Sequence, residues 1–262
     1  MTARSFLFPP NDADIALTRL LARAVEVTGF LKGAPGSHKP GWYRHGLDNG
    51  PMLRDLYDAL AQAYPAGGPA FWAVRLWTNL LWQPAYLAVI AVHAHGGVPD
   101  LRAMSQCRQM LDINGFRLPP GPQRQGEVEA MIGWAAADLR ATAETLLEEI
   151  NAIVRFKPVP AQRLLAARVL GVVALLERMR PGISPDEISR HAQSWLAALD
   201  LVGQGTLEPV VLPDGRQKLV LARKGCCLDY LVWPDRLCAS CPKQTRAVRL
   251  VRQCAELEAQ AG

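Results

Sequence analysis

Four of the six cysteines lie within sixteen positions near the C-terminus, and this spacing constrains the chain more than any other feature. Cys226 and Cys227 are adjacent, ten residues separate them from Cys238, and Cys241 follows after two more. Thiols at these intervals follow neither the 3.6-residue period of a helix nor the two-residue period of a strand. The pattern therefore indicates a set of metal ligands rather than a buried apolar face.

Three kinds of site can use four thiols in one short segment. Disulfides are the least favoured, because residues 1–10 lack the long apolar run of a secretory signal and thiols in the cytosol stay reduced. Structural zinc sites usually contain two C-x2-4-C pairs, whereas one pair here is adjacent, and adjacent side chains in an extended segment point to opposite sides. A [2Fe–2S] centre is a larger, bridged target for which four cysteines are standard. The spacing thus favours an iron–sulfur cluster over zinc and leaves both open.

The motif C-C-x10-C-x2-C resembles the cluster-binding motif of ferric siderophore reductases of the FhuF type. Upstream, residues 207–215 are similar to the strand and turn that precede the cysteines in that family. The apolar, tryptophan-containing block at residues 76–88 resembles the family's N-terminal region. The similarity spans residues 70–242 and is specific only toward the cysteines. Family members commonly end near the last cysteine, whereas this chain continues to Gly262.

The resemblance implies a cytoplasmic oxidoreductase that reduces ferric siderophores by one-electron transfer from a [2Fe–2S] cluster and releases Fe2+ for cellular use. The four motif cysteines would hold the cluster, and no catalytic residue beyond it is expected. The implied partners are a ferric siderophore of the hydroxamate class and an external electron donor, either a protein or a reductant, since the sequence contains no dinucleotide-binding or phosphate-binding motif. We expect Arg223, Lys224 and Trp233 beside the cluster, where cations raise its potential and an aromatic ring excludes water.

Hydrophobic periodicity predicts an α+β fold that is predominantly helical and ends in a small β-hairpin and a cysteine-ligated cluster module. Apolar residues between positions 128 and 153 follow a 3.6-residue period, and residues 184–187 have the sequence of a capping box. Two apolar runs flank the turn at residues 213–215 and predict the hairpin. Residues 31–50 are expected to form a long loop and residues 99–111 a short helix.

This pattern divides the chain into three predicted segments. Residues 1–203 form a mainly helical domain, which is expected to face the siderophore. Residues 204–245 form the β-hairpin and the [2Fe–2S]-binding module. Residues 246–262 form a C-terminal tail, expected to be a short helix because its apolar residues recur at helical spacing.

Positive charge is concentrated around the cysteines, and two other functions stay open. Nine Lys and Arg residues but only two acidic residues lie between Arg216 and Arg252, although the net charge of the chain is +5. One alternative is a structural zinc module on a helical protein that binds nucleic acid or another partner. We do not expect nucleic acid, because the cations are dispersed and few aromatic residues accompany them. The other alternative is an iron–sulfur electron carrier or redox sensor without a siderophore substrate.

No segment is predicted to cross a membrane. The best candidate, residues 71–92, is interrupted by Arg75, Asn79 and Gln83 and by a proline, and polar groups at the middle of a bilayer are costly. A buried amphipathic helix is the better interpretation. Peripheral association with a membrane stays open.

The histidines and the two remaining cysteines are not expected to take part in the site. His93 and His95 lie at a predicted helix end, where a histidine ring can meet the terminal carbonyl groups. His191 lies on the capped helix and is expected to be solvated. Cys107 and Cys254 are expected to pack as small apolar side chains.

Overall fold

The computed structural model describes residues 12–259, with side chains described from residue 14 onward. Residues 1–11 and 260–262 lie outside the described residues; they include the stretch on which the secretory-signal argument depends and the end of the predicted tail. Of the described residues, 56% are helical and 13% lie in strands, with a two-stranded sheet near the C-terminus. The prediction of an α+β, predominantly helical fold is therefore confirmed.

Helices make up most of the described residues. They are α1 (Asp12–Thr28), α2 (Gly50–Ala63), α3 (Gly68–Ile90), α4 (Val128–Asn151), α5 (Pro158–Val173), α6 (Leu176–Met179), α7 (Pro185–Ala198) and α8 (Arg246–Ala259). The α7 helix begins as its sequence predicts, since the Ser184 hydroxyl oxygen accepts a hydrogen bond from the Glu187 N–H at 3.2 Å. Such a cap pairs an amide group that the first turn leaves unpaired.

The strands form two separate sheets. They are β1 (Gly33–Pro35), β2 (Tyr43–Arg44), β3 (Ser105–Gln109), β4 (Asp112–Leu118), β5 (Gly205–Val211) and β6 (Gln217–Arg223). The first sheet has the order β1-β4-β3-β2, with β1 parallel to β4 and the other pairs antiparallel. The second is the hairpin β5-β6. Hydrogen bonds between segments far apart in sequence therefore tie the first loop region to residues 105–118.

The first sheet corrects two expectations. Residues 31–50 contain β1 and β2 rather than loop alone, and residues 99–111 contain a single helical turn at Leu101–Ala103 followed by β3 rather than a short helix. Both strands in the loop are too short to show an alternating pattern, and their partners are distant in sequence. Tertiary pairing, which local periodicity does not reveal, decides their conformation.

Helix α3 is the centre of the helical part of the protein. It is apolar on several faces and packs against α1, α2, α4 and α5, as expected for a helix enclosed by others. Pro84 lies inside it and has no N–H to donate to the Leu80 carbonyl group one turn earlier. The amide of Gln106 on β3 supplies this hydrogen bond at 2.9 Å, and the Gln83 amide donates to Gln106 in turn at 3.1 Å. The proline is thus accommodated by a contact with the first sheet.

Three polar residues recur at every fourth position of α3 and lie along one face. Arg75 forms an ion pair with Asp112 at 3.8 Å, and the Asn79 amide donates to the Leu111 carbonyl oxygen at 2.9 Å. Gln83 belongs to the network with the first sheet described above. This polar stripe is where α3 meets the turn between β3 and β4, and its first member also reaches the cysteine segment.

The predicted hairpin is present and delivers the chain to the cysteines. Its register runs from Gly205 opposite Arg223 to Val211 opposite Gln217. The hairpin packs on α5 and α7. A side chain at Gly205 would place its Cβ atom 3.1 Å from the Leu170 Cδ1 atom, so the glycine allows β5 to approach α5 closely.

One helical stretch, Pro158–Met179, is long and apolar enough to cross a membrane by length and composition. It covers α5 and α6 and is a different segment from the one considered in the sequence. Of its most apolar window, 56% is buried inside the protein, against α3, α7 and the hairpin. Its apolar surface is therefore used in packing within the protein core.

We expect Gly33→Ala to destabilise the protein, because an added Cβ atom would lie 2.3 Å from the Phe116 Cζ atom and 2.7 Å from the Leu21 Cδ2 atom. Overpacking between buried side chains costs about 1–3 kcal/mol. Gly133→Ala is the matched control. An added Cβ atom at this position in α4 would meet no atom within 4 Å beyond its own helix backbone, so alanine should stabilise the helix by about 1 kcal/mol. Urea unfolding midpoints measure both changes. A Gly33→Ala midpoint equal to that of the wild type would contradict the β1 placement.

Candidate metal centre

The cysteines are positioned by the end of β6 and by a close contact with α5. Gly225 follows the strand, and a Cβ atom there would lie 3.0 Å from the Leu164 nitrogen atom and 3.1 Å from the Arg163 carbonyl carbon. Leu228 adopts a left-handed conformation with φ of 63°, which reverses the chain immediately after Cys227. A helical turn at Asp229–Leu231 follows. The backbone therefore bends at Gly225, before the adjacent cysteine pair, and again at Leu228, after it.

All four motif cysteines have free thiols, and they lie close to one another. The thiols of Cys226 and Cys238 both hydrogen-bond to the Cys227 sulfur, and Cys241 is near enough to act electrostatically on both. These bonds lower the pKa of Cys227, and they raise the pKa of Cys226 and of Cys238, as burial also does. The structure thus brings together the four residues that the sequence singled out.

Hydrogen-bond donors surround the sulfur atoms. The Leu228 N–H donates to the Cys226 Sγ atom at 3.5 Å, and the Asp229 N–H donates to Cys227. The Arg223 Nη1 atom donates to the Cys238 Sγ atom at 3.6 Å. Donors of this kind stabilise negative charge on sulfur and tune the potential of iron–sulfur centres. Arg223 therefore contacts one of the motif thiols, and its role beside a cluster stays a prediction.

Lys224 and Trp233 point elsewhere. The Lys224 Nζ atom donates to the Gly203 carbonyl oxygen at 2.7 Å. The ring of Trp233 packs edge-on against Tyr64, with ring centroids 5.4 Å apart, and against Phe71 at 6.4 Å. These contacts attach the cysteine segment to the beginning of α3. A role for either residue beside a cluster stays a prediction.

Two arginines from the helical part of the chain join the site, and sequence reasoning missed both. The Arg75 Nη1 atom lies 3.8 Å from the Asp229 Oδ1 atom. Arg168 on α5 hydrogen-bonds to Tyr86 and is close enough to Arg223 and Arg75 for their charges to repel; burial, and then these charges, lower its pKa. Arg75 could have been found in the sequence as the first polar member of the stripe on an otherwise apolar α3.

The pKa of the Asp229 carboxyl group responds to the negative charge of the motif thiols. Its pKa is raised to about 6, first by burial and then by the charge of the Cys227 sulfur, although Arg75 opposes the shift. Negative charge on the Cys227 sulfur thus acts on a neighbouring carboxyl group. The nearby arginines provide the opposite charge.

This donor set fits a [2Fe–2S] centre in its chemistry. Four thiols on one short segment match the usual ligand number, and the N–H donors and Arg223 suit the net negative charge of a cluster with four thiolates. Among residues 14–259, no group of three or more His, Cys, Asp and Glu side chains is arranged to hold a metal ion. The cofactor therefore stays a prediction that rests on the residues and their surroundings.

Two of the histidines, His93 and His191, pack against each other, and the expectation about His191 is wrong. His191 is buried rather than solvated, because it continues the apolar face that Ile188 and Trp195 form on α7. Its ring lies 4.7 Å from that of His93, centroid to centroid. The Trp195 indole N–H donates to the His93 Nε2 atom at 2.9 Å.

Comparisons with known proteins add no assignment. No protein-family model matches the chain, and no solved structure matches it. The resemblance to ferric siderophore reductases therefore rests on the cysteine motif and the residues that precede it.

Proposed function

We propose that the protein is a cytoplasmic ferric siderophore reductase that carries a [2Fe–2S] cluster on Cys226, Cys227, Cys238 and Cys241. The observation that supports it most is the gathering of these four free thiols in one segment, with N–H donors and Arg223 directed at their sulfur atoms. Such surroundings suit a redox cofactor with a negative charge. The resemblance supplies the substrate class, a ferric hydroxamate, and the alternatives are a zinc module and a cluster that only carries or senses electrons.

The chain's own residues would hold the centre and set its charge. When bound, a [2Fe–2S] cluster with four cysteines supplies one electron at a low potential, about −400 mV in plant-type ferredoxins. Arg223 and Arg75 place positive charge beside Cys238 and Asp229, and this charge favours the more negative, reduced state and so raises the potential. Cys226 and Cys238 are only partly buried, which keeps the centre close to the surface, where a substrate can approach.

The reaction is a transfer of one electron and breaks no covalent bond. A reductant or donor protein loses one electron, and Fe3+ in the siderophore gains it and becomes Fe2+. The oxygen atoms of the siderophore bind the less charged Fe2+ far more weakly, so the metal is released while the chelator stays intact. No general acid, base or nucleophile is needed, and none is assigned here.

Reduced protein should be reoxidised by a ferric hydroxamate. Protein purified without oxygen and reduced chemically is mixed with ferrioxamine and a ferrous chelator, which traps the product and drives an otherwise unfavourable step. We expect the visible absorption of the oxidised centre to return, with one trapped Fe2+ for each electron. Colourless protein with stoichiometric zinc would refute the cofactor. A centre that stays reduced with every class of siderophore would leave only the carrier or sensor function.

A further inference from the structure

A pocket of about 410 Å³ lies between the hairpin, α5, α8 and the cysteine segment. All residues that line the pocket lie in the described part of the chain. Four of them are cationic: Arg163, Arg223, Lys224 and Arg249. Glu208 is the only acidic residue in this lining. The pocket thus has an excess of positive charge. Its size is within the range of small-molecule sites, about 300–1,000 Å³.

The pocket adjoins the thiols. Arg223 belongs to its lining and donates to the Cys238 Sγ atom at 3.6 Å, while Gln244, also in the lining, donates to the Cys238 carbonyl oxygen at 2.8 Å. Lys224 and Pro242 line it too, and Pro242 directly follows Cys241. A molecule bound there would lie against the segment that carries the proposed cluster.

Part of the positive charge of the pocket has no acidic partner, since Arg223 faces the Cys238 thiol and Arg249 shares Glu208. Glu208 pairs with Arg249 at 3.8 Å and with Arg246 at 2.9 Å, so its single charge is shared. Arg223 donates to a carbonyl oxygen at 2.7 Å and to the Cys238 thiol. Lys224 donates to a carbonyl oxygen at 2.7 Å. Within the described chain, the Arg163 Nε atom is buried and has no hydrogen-bond partner. Unpaired charge at a partly buried site is costly unless an anion supplies the missing partner.

We propose that this pocket binds the substrate as an anionic ferric chelate with carboxylate groups at its edge. The inference rests on the proposed function. It changes the expected substrate from any ferric hydroxamate to an anionic ferric chelate that carries carboxylate groups. Arginine side chains bind carboxylates through paired, charge-assisted hydrogen bonds, which fixes the orientation of the ligand. Three of the cations, Arg163, Arg223 and Arg249, are partly buried, and the Arg249 side chain is only 13% exposed. A small ligand therefore reaches these three more readily than the surface of a donor protein does.

Binding is measured with gallium(III) complexes, which mimic ferric chelates but are not reduced. The cluster-loaded protein is titrated calorimetrically with gallium citrate and with a neutral gallium trihydroxamate. We expect gallium citrate to bind more tightly, and Arg163→Gln and Arg249→Gln each to weaken it at least about tenfold without changing the affinity for the neutral complex. Arg163→Lys, which keeps the charge, should recover part of the loss.

Arg236→Gln is the matched control, because Arg236 is an exposed cation on the same segment outside the pocket lining. It should bind both complexes like the wild type, and circular dichroism and cluster absorption should be unchanged in every variant. Equal affinity for the two complexes, or gallium citrate binding that Arg163→Gln and Arg249→Gln leave intact, would overturn the inference. Metal-free citrate binding as tightly as gallium citrate would overturn it too, since the pocket would then be a general carboxylate site.

The two proposals fail in different ways. If reduced protein reoxidises with neutral ferric chelates alone, the proposed function stands and the pocket assignment falls. If gallium citrate binds as expected but no ferric chelate reoxidises the protein, the pocket stands as an anion site and the reductase function falls.

Discussion

Replacing any one of Cys226, Cys227, Cys238 and Cys241 with serine is expected to remove most of the bound iron and the red-brown colour of anaerobically purified protein. The wild type should contain about two irons and two sulfides per chain. A serine oxygen is a harder ligand than thiolate and binds the cluster irons poorly. Iron and sulfide analysis and the visible spectrum measure the effect.

Cys107→Ser and Cys254→Ser are the matched controls. Cys107 lies on β3 and donates to the Arg108 carbonyl oxygen at 3.5 Å, while Cys254 lies on α8, and both are partly buried free thiols outside the motif. Serine at either position should leave the iron content unchanged. Full iron content in a Cys238→Ser variant, or loss of iron in both controls, would contradict the ligand assignment.

Local patterns in the sequence predicted the helices and the hairpin because their signals are short-range. The cap at Ser184 and the turn between β5 and β6 depend on residues three or four positions apart. The cysteine motif is equally local, although contacts with α5 and with the beginning of α3 hold its segment in place.

The rest depends on contacts between distant segments, which one sequence does not reveal. β1 pairs with β4 across some eighty residues, and β2 contains only two residues. Arg75 reaches Asp229 in the cysteine segment from α3, and Arg168 on α5 lies near Arg75 and Arg223; each looks like an interruption of an apolar helix. The pocket beside Cys238 combines residues from α5, the hairpin and α8 in the same way. Sequence reasoning singled out the four thiols and Arg223 but not the arginines on α3 and α5.

Acidification from pH 7 to pH 5 is expected to lower the free energy of unfolding by about 2 kcal/mol through His93 alone. Burial, and then the charges of His191 and Arg180, lower the pKa of His93 from 6.5 to about 3. The folded protein therefore keeps this ring neutral at pH 5, whereas the unfolded chain binds a proton there. The stabilisation is fully present above pH 6.5 and is lost progressively as the pH falls toward 3.

The surroundings of His93 explain why it resists protonation. Its Nε2 atom accepts the hydrogen bond from Trp195. A proton could bind to the Nε2 lone pair only by displacing the Trp195 N–H group. Burial also lowers the pKa of its neighbour His191, although Glu187 and Glu129 act in the opposite direction. A proton on either ring would leave a charge beside a second buried imidazole. Both histidines therefore destabilise the folded state in acid with the same sign.

His93→Gln separates this effect from other acid-sensitive groups, including any bound cluster. The glutamine amide oxygen can still accept the Trp195 hydrogen bond, but it does not titrate. Urea unfolding of both proteins should therefore show a smaller loss of stability between pH 7 and pH 5 in the variant, by about 2 kcal/mol. If the free energies of unfolding of the wild type and His93→Gln depend on pH in the same way, the buried ring accepts its proton in the folded state. The packing of α7 against the end of α3 would then have to open in acid.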